Sequence, residues 1–394
     1  MRAPLLALLL LATPATAQDL SATIARDGLA ATEARLAAAT TPEDRFALGG
    51  VRFLRAVERV LQLRWQTGVT EDLRILPVFR LPLDENPTPA PFDPGVIATA
   101  FRGLAEDMAL ARAPLTDLPP DEFAVTIRLE DLWFDVNANT TRDSGESLLD
   151  IAGPILLGWQ WQSRDPATPA PTVTFDRADA DWLRAYTHLW AALAEVVLAY
   201  DPTAAIAETV ATRAALRDLR AVEPGDFDMS ASFEQAVSAI YAIARALDQT
   251  PDAVRLAAAR DHLLAMIAAN RDFWAAVDLE TDDAAEWLPN ARQTSALGIT
   301  LPPETGAVWQ GLLGEFEAVL TGTALVPYLW LDDSAGVNVA RLFTDPAPID
   351  LLGWIEGTAA LPYLEKGRVI TPDAWRQFEA MMGGQAMLMT LWLN

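Results

Sequence analysis

The sequence predicts a mainly α-helical protein: an irregular array of helical hairpins with a few short strands, at about 122–134, 325–331 and 337–343. Three observations carry that expectation. Apolar residues recur at helical spacing over long stretches, helix-start signatures precede several of them, and period-two alternation is confined to short segments.

Residues 1–17 read as a cleavable leader. Arg2 supplies a positive start, Leu5 to Ala12 a short apolar run, and Ala15-Thr16-Ala17 a small-x-small cleavage site after Pro14. The expected mature chain, 18–394, is periplasmic or secreted. No cysteine follows the cleavage point, and no later stretch has the ~18 uninterrupted apolar residues of a spanning helix, so no membrane anchor is expected.

Asp19 to Ala39 is an alanine-rich helical segment. Thr41-Pro42-Glu43-Asp44 then combines a capping hydroxyl, a first-turn proline and two acids at the positive end of a helix dipole. Phe46, Val51, Leu54, Val57, Val60 and Leu61 follow at helical spacing until Gly68 stops the run. Leu81 to Gly95 carries five prolines and reads as a loop or linker. Ile97 to Ala113 returns to helix. Phe123, Val125, Ile127 and Leu129 then alternate with less apolar residues, as in a half-buried strand. A second proline-rich loop occupies 165–171. Helices are expected at about 177–200, 231–248, 252–276 and 304–320, and Thr371-Pro372-Asp373 starts a last one. The mature region is one unit or two interlocked ones, with a boundary near 81–95 or 163–174.

Composition narrows the chemistry. The chain has no cysteine, which excludes thiol catalysis, zinc–thiolate sites and iron–sulfur clusters. It has 54 acidic against 29 basic residues, a net charge of −25, which repels nucleic acid. The excess acid reads as a solubility device or as affinity for cations. Phosphate loops, dinucleotide fingerprints and nucleophile elbows are missing.

The sharpest motif is the twelve-residue run from Asp135 to Glu146. Calcium takes many oxygen ligands around one point, and Asp135, Asn137, Asn139, the carbonyl of Thr141, Asp143 and Glu146 fall at the ligand spacing of a twelve-residue loop. The run resembles the calcium loop of EF-hand proteins, which implies calcium as cofactor. Two positions depart from that pattern. Thr140 stands where the sharp turn calls for glycine, and Arg142 where an apolar residue is usual. The preceding segment reads as strand, so a strand–loop–helix variant is expected. A polar turn without metal is the competing reading.

The two histidines, His188 and His262, sit in helical segments. Asp181, Arg184, His188 and Glu195 form one polar stripe, expected to be the solvated face of an amphipathic helix rather than a catalytic constellation. By elimination, the irregular segment after the acid-rich run 278–286 is the candidate ligand site. Glu286, Trp287, Asn290 and Arg292 offer a carboxylate, a stacking ring, an amide and a guanidinium. Trp287 as a core plug in a connecting loop is the plainer alternative. Phe175 to Tyr200 and Trp287 to Thr294 also resemble segments of a group of uncharacterised exported bacterial proteins, a resemblance that implies no activity.

The function expected is therefore an exported scaffold or ligand-binding protein with one structural calcium loop. Its ligand would be a small molecule, glycan or protein. The alternative is a periplasmic hydrolase or lyase acting on polysaccharide or cell wall through a carboxylate pair.

Overall fold

The structure, a computed structural model, describes residues 20–69, 81–119, 123–156, 161, 165, 168–219, 229–283, 285–383 and 386–393. The expected leader at 1–17 lies outside the described residues. Over the described residues the chain is mainly helical with two small antiparallel sheets.

The first half runs α1 (Leu20–Leu36), α2 (Pro42–Thr67), α3 (Val96–Arg112), β1 (Val125–Arg128), α4 (Leu148–Leu156) and β2 (Thr172–Phe175). Next come α5 (Arg177–Ala199), α6 (Thr203–Asp218), α7 (Met229–Leu247), α8 (Ala253–Val277) and α9 (Thr305–Thr321). The chain closes with β3 (Ala335–Val337), α10 (Val339–Thr344), α11 (Leu351–Glu356), β4 (Leu364–Lys366), α12 (Asp373–Met382) and α13 (Ala386–Trp392).

Local signals set several boundaries. The Thr41 hydroxyl accepts the Asp44 N–H at 3.2 Å to start α2, and Gly68, at φ 67°, ends it by donating to the carbonyls of Arg64 and Trp65. Asp176 and Asp179 form a capping box at the head of α5. The Asp252 carboxylate caps α8.

Two expected strands are corrected. Over 325–331 only Leu325 and Val326 make isolated bridges, because Pro327 has no N–H for a ladder and Leu331 turns back to the Tyr328 carbonyl at 3.0 Å. Over 337–343, strand β3 ends at Val337 and Asn338 leads into the short helix α10. Strand β2, partner of β1 through Val125↔Phe175 to Arg128↔Thr172, was not legible beside the proline-rich loop.

α5 is the central helix. It packs along α8 on one side and α3 on another, with α2 against α3 and α1 against α2. Ala185, Ala191, Ala192 and Ala194 are buried, and such small side chains let the neighbouring backbones approach. One core cluster runs from Ile24 to Leu393, crossing both segments expected as boundaries. A second, around Phe101 and Met108, lies between α2, α3 and α5. No single described helix is long and apolar enough to cross a membrane. α5 and α6 together, bent by 61°, meet the length and composition of a span. Trp161 is half-buried against Gly153 and the main core.

Candidate functional site

A cavity of about 290 Å³ lies in the first half of the fold. α1 contributes Leu20 and Ile24, α2 Phe46, Val51 and Leu54, β1 Val125 and Ile127, and α4 Leu148 and Ala152. One further wall is aromatic: Phe175 on β2, Trp182, Tyr186 and Trp190 on α5, then Trp287 and Trp392. Among the described residues no charged side chain lines it.

The aromatic wall is one connected set of rings. The Trp287 ring lies 4.7 Å from Trp392, 5.5 Å edge-to-face from Trp182 and 5.7 Å from Phe175, centre to centre. Tyr186 stacks on Trp182 at 5.0 Å, and burial pushes its phenol up to about 12. The Trp182 indole N–H donates to the Trp392 carbonyl at 3.0 Å, fixing α13 against α5. Among the described residues the buried Trp287 indole N–H has no hydrogen-bond acceptor, and its ring stands edge-to-face to Trp182. That arrangement suits a weak N–H···π contact.

The four candidate ligand residues do not converge. Trp287 lines this cavity, whereas Asn290 and Arg292 line a second one of about 300 Å³ with Trp274, Pro302 and Thr305. Both polar groups also brace their own loop. The Asn290 amide donates to the Val277 carbonyl at 2.8 Å, and the Arg292 guanidinium to the carbonyls of Asp278 and Glu280 at 3.1 and 2.7 Å. Glu286 lines neither cavity and is buried in a carboxylate cluster.

That cluster escaped sequence reading. Asp176, Glu280 and Glu286 bring carboxylate oxygens within 4.8 Å of one another, a group that could hold a metal ion. Asp176 caps α5, where the helix dipole favours negative charge. Glu280 accepts the Gln293 amide at 2.9 Å, yet burial together with Asp176, Glu286 and Asp282 pushes it up to about 7. Asp179, one turn into α5, is also raised, by burial first and then by Asp176, Glu280 and Glu286. The capping box was a local signal for Asp176 and Asp179; nothing local tied Glu280 and Glu286 to them.

The expected calcium loop follows β1 and precedes α4. Its start is clamped to α2: buried Glu58 accepts the Asp135 N–H at 2.8 Å, and Gln62 donates to the Asp135 carbonyl at 2.7 Å. The Asp135 carboxylate accepts the N–H groups of Asn139 and Thr140, both at 2.9 Å, and the Asn139 side-chain oxygen accepts Thr141 N–H at 2.7 Å. The amides of Asn137 and Asn139 both reach Asp143 at 2.8 Å. Buried Glu146 accepts Val136 N–H at 2.9 Å and Asp143 N–H at 2.8 Å. Ala138 and Thr140 sit in the left-handed region at φ 59° and 63°.

The polar stripe of α5 is not a solvated face. It meets α8: Arg184 donates to Asp272 at 2.8 Å, the Nδ1 atoms of His188 and His262 lie 2.9 Å apart, and Arg255 donates to Glu195 at 2.8 Å. The expectation failed because helical period finds a polar stripe but not what packs on it.

No family model, curated protein or solved structure matches the chain.

Proposed function

We propose that this is an exported, non-enzymatic binding protein that holds an apolar small molecule in the cavity between α1, α2, β1, β2 and α5. The observation that carries the reading is the cavity's composition: its volume falls at the lower end of small-molecule sites, and its walls are aliphatic and aromatic side chains with no charge. Solvated polar ligands such as glycans would leave their hydroxyls without partners there. The test is equilibrium titration with the uncharged apolar dye N-phenyl-1-naphthylamine, read by dye emission and by quenching of Trp182, Trp190, Trp287 and Trp392. Saturable one-to-one binding supports the reading; failure to bind contradicts it.

The loop from Asp135 to Glu146 is the structural element of this reading, with calcium held by Asp135, Asn137, Asn139, the Thr141 carbonyl, Asp143 and Glu146. Support comes from six oxygen-bearing positions at the required spacing and from the clamp by Glu58 and Gln62. Calcium there would join β1 to α4, two walls of the cavity.

A carboxylate-dependent hydrolase or lyase is the second reading. The closeness of Asp176, Glu280 and Glu286, with Glu280 raised to about 7, favours a proton donor. Against it, none of the three lines either cavity. Glycan hydrolysis abolished by Glu280→Gln would establish it.

A further inference from the structure

His188 and His262 are the only histidines of the chain, and they meet across the seam between α5 and α8. Their Nδ1 atoms are 2.9 Å apart, with ring centres 5.1 Å apart. One ring must offer an N–H and the other a lone pair, so the contact requires at least one neutral ring. Two imidazolium rings at that distance would repel strongly.

The surrounding charges sharpen this. From α3, Arg112 reaches Thr187 at 3.4 Å and faces both rings, and Arg184 on α5 adds positive charge beside His188. On the negative side stand Glu195 of α5, already paired with Arg255 of α8, and Asp261 of α8. Asp272 pairs with Arg184. Burial, Arg112 and the facing ring push His188 down to about 3, and burial and Arg112 lower His262.

α5 is also a wall of the apolar cavity. Trp182, Leu183, Tyr186 and Trp190 line it, while no residue of α8 does. At 100° per residue, His188 projects about 200° from both Tyr186 and Trp190. α8 therefore backs the helix that carries the aromatic wall.

We propose that protonation of the His188–His262 pair separates α8 from α5 and releases the occupant of the cavity, making the apolar site acid-gated. The inference rests on the cavity-binding reading above. In a separated state each ring returns to an ordinary affinity for protons, about 6.5. The contact tolerates one charged ring, so it is the second proton that favours separation, by about tenfold per pH unit below that value and on the order of tenfold at pH 5.5.

The experiment measures N-phenyl-1-naphthylamine binding at pH 7.5 and 5.5 by the wild type, the two single His→Gln variants, and H188Q/H262Q. Expected is a dissociation constant at least tenfold weaker at pH 5.5 for the wild type and less than twofold changed for the double variant. His→Asn replacements serve where a glutamine variant does not fold. Wild-type binding of equal strength at both pH values overturns the gating while leaving the binding reading intact. So does an acid loss that persists undiminished in the double variant. Absence of binding at pH 7.5 overturns both.

Discussion

The Thr140 N–H donates to the Asp135 carboxylate at 2.9 Å from a backbone at φ 63°, a conformation that opposes a side chain with a branched Cβ. The turn that glycine normally makes is made here by threonine. Glycine in its place would keep the N–H that Asp135 accepts and lose the strained side chain together with its hydroxyl bond.

Thr140→Gly should therefore stabilise the fold. Relief of left-handed strain is worth about 1 kcal/mol or more, and the freer unfolded chain offsets part of it, leaving a net gain of up to about 1 kcal/mol. Urea denaturation of the two proteins measures this. A loss of stability would mean that the Thr140 hydroxyl, which donates to the Asn139 carbonyl at 2.7 Å, matters more than the strain.

Calcium at several millimolar should raise the melting temperature of the wild type, since a ligand of the folded state stabilises it by mass action. Asp143→Asn should remove most of the rise. Glu146→Ala is the poorer probe, because buried Glu146 holds two backbone N–H groups and its loss costs about 1–3 kcal/mol by itself. If Glu280→Gln removes the rise and Asp143→Asn does not, the cation sits on the Asp176–Glu280–Glu286 cluster instead.

Stability should fall as pH rises through about 7. Glu280 has its folded value raised to about 7 from 4.5, so its contribution is fully present below about 4.5 and lost as it ionises beside Asp176 and Glu286. Asp179 is shifted in the same direction. Glu280 is partly solvated, so a loss on the order of 1–2 kcal/mol between pH 5 and 8 is expected, and Glu280→Gln should flatten it. Chemical denaturation at several pH values reads both. The lowered histidines act with the opposite sign, losing stability as pH falls below about 6.5, so the wild type should be most stable on the acid side of neutrality.

Much of the helical framework was legible because its signals are local. Thr41, Pro42 and Gly68 bound α2 where the sequence places it, and the apolar spacing of α5 and α8 needed no tertiary information. Long-range geometry was not legible. His188 and His262 are 74 positions apart and each looks like a helix-face residue. Asp176 and Glu286 belong to a capping box and a distant loop, joined because Thr174 N–H bonds to the Ala285 carbonyl at 3.1 Å. The cavity has no sequence signature, since its walls read as ordinary core. Trp287 was legible as a candidate, but Asn290 and Arg292 turn to their own loop's carbonyls.

Gly50 of α2 offers a sharp test that the cavity is a binding site. Gly50 lines the cavity, and a Cβ built on it meets nothing within 4 Å. Gly50→Phe should fill the space, and replacing a mid-helix glycine also removes up to about 1 kcal/mol of helix penalty. Titration of N-phenyl-1-naphthylamine into wild type and Gly50→Phe compares one filled and one open site in otherwise identical chains. Expected are one saturable site in the wild type and at least a tenfold weaker one in a Gly50→Phe protein of equal or greater stability. Equal dye binding by the two proteins, or none by the wild type, would contradict it.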